Sequence, residues 1–335
     1  MHIRIKQVLV LSAVLAASSS VTFACTPGGS PSLLNMCLGN NALQVNTTGH
    51  ENVAIGHNAL KSNTTGPYNV AVGIFALESN TSGDYNTAVG YRALQAASSA
   101  RWNSAFGYRS LQVNTTGNAN TGLGEDTLFA NTTGSYNTAV GQAALWKSIE
   151  ASYNTSVGQN SMYENISGAY NTALGQSALY GNTSGHANTA LGLATLQLSN
   201  GNYNTAVGTG ALINLTSGSN NIAIGSSAGL GITSGANNVI IGNNVSGLSA
   251  GLSNTVIVAD GAGNRRVTID ATGKTGIGTT TPVTTLDVNG SFRMNNVGTP
   301  IPTTACTAGE IRWDSGYVYV CVAADTWKRA ALATW

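Results

Sequence analysis

One recurring glycine limits what this chain can become. A Gly closing an N-x-A-x-G motif, or a close variant of it, stands at 39, 56, 73, 90, 107, 124, 141, 158, 175, 192, 208, 225 and 242. Each step is 17 residues, except the 16 between Gly192 and Gly208. Asn stands four residues before each of the thirteen glycines, from Asn35 to Asn238, and an apolar residue just before each, from Leu38 to Ile241. Four residues after the Gly, eleven of thirteen units carry Leu or Met, as at Leu43, Leu60, Leu145 and Met162. NTTG or NTSG turns separate units at 46–49, 63–66, 80–83, 114–117, 131–134 and 182–185. A fixed period of this kind marks repeats that stack on their neighbours.

The segment N-T-A-V-G alternates β-branched and small residues, which is the period of a strand. Gly and Asn-Thr-Thr-Gly punctuation stops a helix from growing. The x-x-A-L piece that follows fits a second short strand or a single helical turn. The expected fold is all-β: a parallel β-solenoid, or β-roll, of thirteen 17-residue coils over 35–258. Stacked at about 4.8 Å, the coils would extend about 60 Å. One face of each strand carries Thr and Val, the other Asn, Ala and Gly, and neither is charged. We expect Val and the later Leu to fill the coil, and the small Asn-Ala-Gly face to meet a neighbouring chain closely. This predicts a homo-oligomer. The alternative is a monomeric solenoid whose Asn and Thr form hydrogen-bonded ladders.

Composition narrows the function. Only 8% of residues are charged and the net charge is +1, so no electrostatic footprint for nucleic acid is present. Residues 1–24 read as a signal peptide: MHIRIK, then the short apolar VLVLSAVLAA, then Thr22 and Ala24 before the cut. That run is too short to span a bilayer, so no transmembrane segment is expected after cleavage. A lipoprotein signal also ends at a Cys such as Cys25, but Thr22 and Phe23 depart from its pattern. The chain is expected to be exported, to the bacterial cell surface or beyond. Export favours disulfides. The four cysteines lie two near each end, which favours Cys306–Cys321 and then Cys25–Cys37 among the three pairings.

Beyond the N-terminal cap (25–34) and the solenoid, two further segments follow. Residues 259–299 form a short-strand connector, and 300–335 form a C-terminal module. In the latter, EIRW and YVYVCV flank Asp314-Ser315-Gly316 as a hairpin stapled by Cys306 and Cys321, with Trp313, Tyr317, Tyr319 and Trp327 as an aromatic core or patch. We expect it to cap the last coil and its exposed edge, the alternative being a ligand-contacting tip. The chain carries no CxxC, no HExxH and no Walker loop, so we expect no enzyme, cofactor or metal site. One column is a candidate binding site. Tyr68, Tyr85, Trp102, Tyr136, Tyr153, Tyr170 and Tyr203 each precede the motif Asn and form an aromatic stripe. Such stripes bind sugars or proteins, or simply stiffen the stack.

Asn52-Val53-Ala54-Ile55-Gly56 and Asn221-Ile222-Ala223-Ile224-Gly225 resemble the N-S-V-A-I-G head repeats of YadA-like trimeric autotransporter adhesins. Residues 276–290, GIGTTTPVTTLDVNG, resemble a segment of bacterial and phage tail-fibre-like proteins. Together the resemblance covers about 35–290, and it implies a left-handed β-roll, a homotrimer and adhesion to a host or environmental glycan or protein. The period of 17 exceeds that of the usual adhesin head, and no anchor barrel or chaperone domain follows in this sequence. The expected function is a non-enzymatic structural and adhesive fibre. A tail-fibre-like carbohydrate-binding or depolymerase protein is the alternative. An ice-binding solenoid ranks lower. Its hydroxyl row, Thr87, Ser104, Thr121, Thr138, Thr155, Thr172, Thr189 and Thr205, shares a face with the Val placed inside.

Overall fold

The computed structural model describes residues 34–293, 305–313 and 316–331. The signal peptide and Cys25, with its pairing to Cys37, lie outside these residues. The chain divides into two compact units with the boundary between Asp287 and Val288.

The first unit is the expected all-β solenoid. Among the described residues, fourteen parallel strands stack in register, from β1 (Met36–Leu38) through β7 (Thr138–Val140) to β14 (Val256–Ala259). The last is a rung beyond the thirteen motifs, in which Thr255 and Ala259 replace the motif Asn and Gly. Every strand of the repeat is short because the residue after it is a glycine in a conformation closed to other residues. Gly90, for example, has φ +136°, and a Cβ there would sit 2.3 Å from Gly107 O.

The x-x-A-L piece is neither a strand nor a helical turn. Leu60 adopts a left-handed φ of 49° and donates its N–H to Ala76 O of the next coil at 3.0 Å. Leu77 does the same to Ala93 O, also at 3.0 Å. These bends fold the coil without regular structure of their own.

The facing of the strands is the reverse of the expectation. The central residue, such as Ala88, Ala139 or Ala173, is buried in the coil, and so is the motif Asn. The flanking Thr and Val or Leu lie on the outer surface, half-buried or exposed. The reason is volume. A 17-residue coil encloses room for two Ala and one Leu per rung, such as Ala139, Ala144 and Leu145, but not for Val as well. β-branched residues keep their strand preference on the outside. The small face is therefore the interior and not an interface.

The buried Asn is tolerated because its amide is fully used. Asn137 N and Nδ2 both donate to Asn120 Oδ1, at 3.0 and 3.1 Å, and Nδ2 also donates to Ala151 O at 2.7 Å. Its own Oδ1 accepts from Asn154 N and Nδ2 at 3.0 and 3.2 Å. This ladder repeats along the stack and meets the rule that buried polar groups must be paired. A second ladder runs through the turn Asn, as in Asn80 Nδ2 to Asn63 Oδ1 at 2.8 Å. It breaks after Asn80 and after Asn131, where the next rungs offer Ala97 and Ser148, and Asn80 Oδ1, Asn131 Oδ1 and Ser148 Oγ are left buried without partners.

The single 16-residue step is absorbed in one turn. Elsewhere a turn carbonyl accepts from the preceding coil, as Thr81 O does from Thr64 N at 2.9 Å and from Thr65 N at 3.1 Å. Where one Thr is missing, Asn200 Oδ1 takes that place and accepts from Thr183 N and Oγ1, both at 2.7 Å. The strand register passes through unbroken, Thr189 opposite Thr205.

Beyond β14 the chain reverses. β15 (Arg265–Ile269) pairs antiparallel with β14, and β16 (Thr275–Ile277) pairs antiparallel with β15. β15 thereby covers the last rung's edge. A further strand, β17, spans Leu286–Val288. The second unit contains a three-stranded antiparallel sheet of β18 (Ile311–Trp313), β19 (Tyr317–Ala323) and β20 (Thr326–Ala331). The expected hairpin is β18–β19, and β20 adds a strand that the sequence reading did not place. Cys306 and Cys321 are joined by a disulfide beside buried Tyr319.

Candidate functional site

With the interior closed by Ala, Leu and Asn, any function of the solenoid belongs to columns on its surface. Three kinds of column are present. The first is the predicted aromatic stripe. All seven residues, Tyr68, Tyr85, Trp102, Tyr136, Tyr153, Tyr170 and Tyr203, are exposed and share one left-handed backbone position, with φ between 55° and 61°. Tyr136, Tyr153 and Tyr170 stack with centroids 4.9 Å apart and rings within 6° of parallel. Tyr68 and Tyr85 stack at 4.8 Å. The ring spacing is the rung spacing, so the strand ladder dictates the stack.

The second column is the outer face of the strands. The hydroxyl row Thr87, Ser104, Thr121, Thr138, Thr155, Thr172, Thr189 and Thr205 stands in register, one per rung. Two residues further along each strand runs an apolar row that includes Phe106, Leu123, Leu174, Leu191, Ile224 and Ile241, all exposed. No charged residue interrupts either row from Thr87 to Ile241.

The third kind was missed at the level of sequence. Phe129, Trp146, Tyr163 and Tyr180 stack in series at 5.5, 5.1 and 5.3 Å. Tyr91 and Tyr108 stack at 5.4 Å. Writing the sequence in 17-residue rows reveals both, since the first group lies five residues after the Gly and the second one after it. Charges attach to these rings. The Arg109 guanidinium lies 4.8 Å from the Phe129 centroid and grips Asp126 through two hydrogen bonds of 2.8 and 2.6 Å, which hold its pKa above the usual arginine value. Lys147 pairs with Glu164 and is likewise raised.

In the second unit, Arg312 covers Trp327 at 5.0 Å and Arg329 covers Tyr317 at 4.3 Å. Tyr319 is buried, while Trp313, Tyr317 and Trp327 are half-buried, so the aromatics form a core with one partly open side. Among the described residues, no helix is long and apolar enough to cross a membrane, and no cluster of three or more His, Cys, Asp or Glu is placed to hold a metal ion. No protein-family model, no curated protein and no solved structure matches this chain.

Proposed function

We propose that the chain is an exported, non-enzymatic fibre protein, a stiff coil stack that self-associates as a homotrimer and adheres through its flanks to a glycan or protein surface. The observation that carries this reading is the outward apolar row. Monomeric proteins rarely expose continuous apolar stripes, and a stripe repeated at every rung suits a second copy of the same ladder. The oligomer reading thus moves from the small face, now interior, to the Val and Leu row. The trimer number and the adhesive role rest on the resemblance to adhesin heads and tail-fibre segments. Light scattering on the mature chain tests it. A trimer mass is expected, and a monomer at all concentrations would end the proposal.

A second reading gains from the reversed facing. The hydroxyl row lies outside, on an in-register ladder beside apolar groups, so the objection to an ice-binding array falls away. A thermal-hysteresis measurement decides it. A freezing gap lost on replacing Thr138, Thr155 and Thr172 by Lys supports the array, and absence of any gap removes it.

A further inference from the structure

The aromatic stripe is interrupted twice, and the interruptions carry more than the stripe. Within a continuous stack an inner ring such as Tyr153 has a neighbour on both faces and offers solvent only an edge. Nothing that stacks can bind there. At Ala119 and Ala187 the column loses its ring but keeps its rung. Ala119 has the same left-handed φ, 54°, and donates to Arg101 O at 3.0 Å as its aromatic counterparts do to theirs. Trp102 and Tyr136 therefore stand two rungs apart in the column, about 9.6 Å, and so do Tyr170 and Tyr203. The exposures agree. The four residues that border a gap are 54–65% exposed, while Tyr68, Tyr85 and Tyr153, which do not, are 37–51% exposed.

We infer that these gaps are two binding slots, each taking one pyranose ring of a glycan between two aromatic side chains. The width is twice the spacing already found between stacked rings, which leaves room for one ring-shaped guest. A chair is thicker than a flat ring and fills such a width better than a base or a phenol. Its faces are C–H groups suited to aromatic walls, and its rim carries hydroxyls. Polar groups line the rims. Asn118 lies at the first slot with its Oδ1 held by Arg101 N at 2.8 Å, which turns its amide N–H groups to other partners. His186 lies at the second, where Nδ1 accepts from Ala169 N at 3.0 Å and Nε2 remains the ring's donor. Thr121 lies exposed on the first slot's rung. Ala119 and Ala187 are four coils apart, about 19 Å, so a polysaccharide surface engages both slots and gains avidity.

The inference rests on the adhesive reading, and its test separates the two. The probes are a printed array of neutral and acidic oligosaccharides and, for its best binder, titration followed by intrinsic tryptophan fluorescence. Ala119→Tyr with Ala187→Tyr refills both slots without strain, because Tyr already occupies this backbone position in neighbouring coils. The expected result is glycan binding by the native chain and at least a tenfold loss in the double variant, with a raised melting temperature and unchanged mass in solution. Tyr136→Ala, which removes a wall, should weaken binding while lowering the melting temperature. Binding that survives slot filling, or an array with no binder, overturns the slots. So does a Tyr-rich peptide that competes for them where sugars do not. A chain that trimerises yet ignores every sugar loses the slots and keeps the fibre.

Discussion

At the scale of single residues, the interior is held by amides as well as by packed volume. Replacing Asn137 by Ala would strand Asn154 N–H and Ala151 O inside the stack. Each stranded group costs about 1–3 kcal/mol, so we expect Asn137→Ala to destabilise by about 3 kcal/mol in denaturant unfolding. The second ladder follows a steric rule. A Cβ at Gly83, Gly117 or Gly134 would meet the Oδ1 of its own coil's turn Asn at 2.3–2.5 Å. Where the chain places Ala at that site, Ala100 and Ala151, the turn Asn is replaced by Ala97 and Ser148. The pairs compensate, and they leave the unpartnered oxygens described above. We expect Ala97→Asn alone to destabilise by about 1–3 kcal/mol through overpacking against Ala100. Adding Ala100→Gly should recover most of that loss, since the introduced amide can then donate to Asn80 Oδ1. A double-mutant cycle measures the coupling, expected at about 2 kcal/mol, and additive effects would remove the rule.

At the scale of elements, strand identity was legible and strand orientation was not. The period and the T-A-V alternation located β1 to β13 in the sequence. In N-T-A-V-G both faces are small or apolar, so alternation could not say which one turns inward. What decides it, the volume within one closed coil, is a property of the loop and not of the strand. β14 escaped because Ala259 stands where the motif has Gly, and β20 because TWKRAA does not alternate. The turn into β15 is tied together by Asp260. Its carboxylate accepts from the side chain of Asn264, pairs with Arg266 and caps Ala262 N, and these bonds lower its pKa from 3.8 to about 2. A lowered pKa means that its contribution is complete above pH ~4 and is lost as pH falls toward 2. Hydrogen-exchange protection across 256–269, taken relative to the intrinsic exchange rate at each pH, should therefore fall below pH ~4 in the native chain. In Asp260→Asn that protection should be lower at pH ~6 and should fall less over the same range.

At the scale of the whole molecule, most of the candidate surface was readable as a list but not as a geometry. The seven-residue stripe could be read from its spacing. The slots could not, because an Ala in an aromatic column has meaning only once the rung beneath it is known to persist. The outward Val and Leu row was read as core, and the proposed trimer interface has shifted accordingly. This yields a test of the assembly. Leu123→Lys, Leu174→Lys and Leu191→Lys place charges on exposed sites, so they should leave the melting temperature of an isolated coil stack nearly unchanged while converting a trimer to monomers by light scattering.

The turn at Asn200 has a consequence for inheritance. A one-residue deletion is neutralised on the spot by a side-chain amide, and the ladders on either side continue in phase. Whole coils are still more interchangeable, since each needs only a like neighbour above and below. Reach can therefore change in discrete increments, one rung for each 17 residues gained or lost by recombination between near-identical repeats, with no other part of the fold re-engineered.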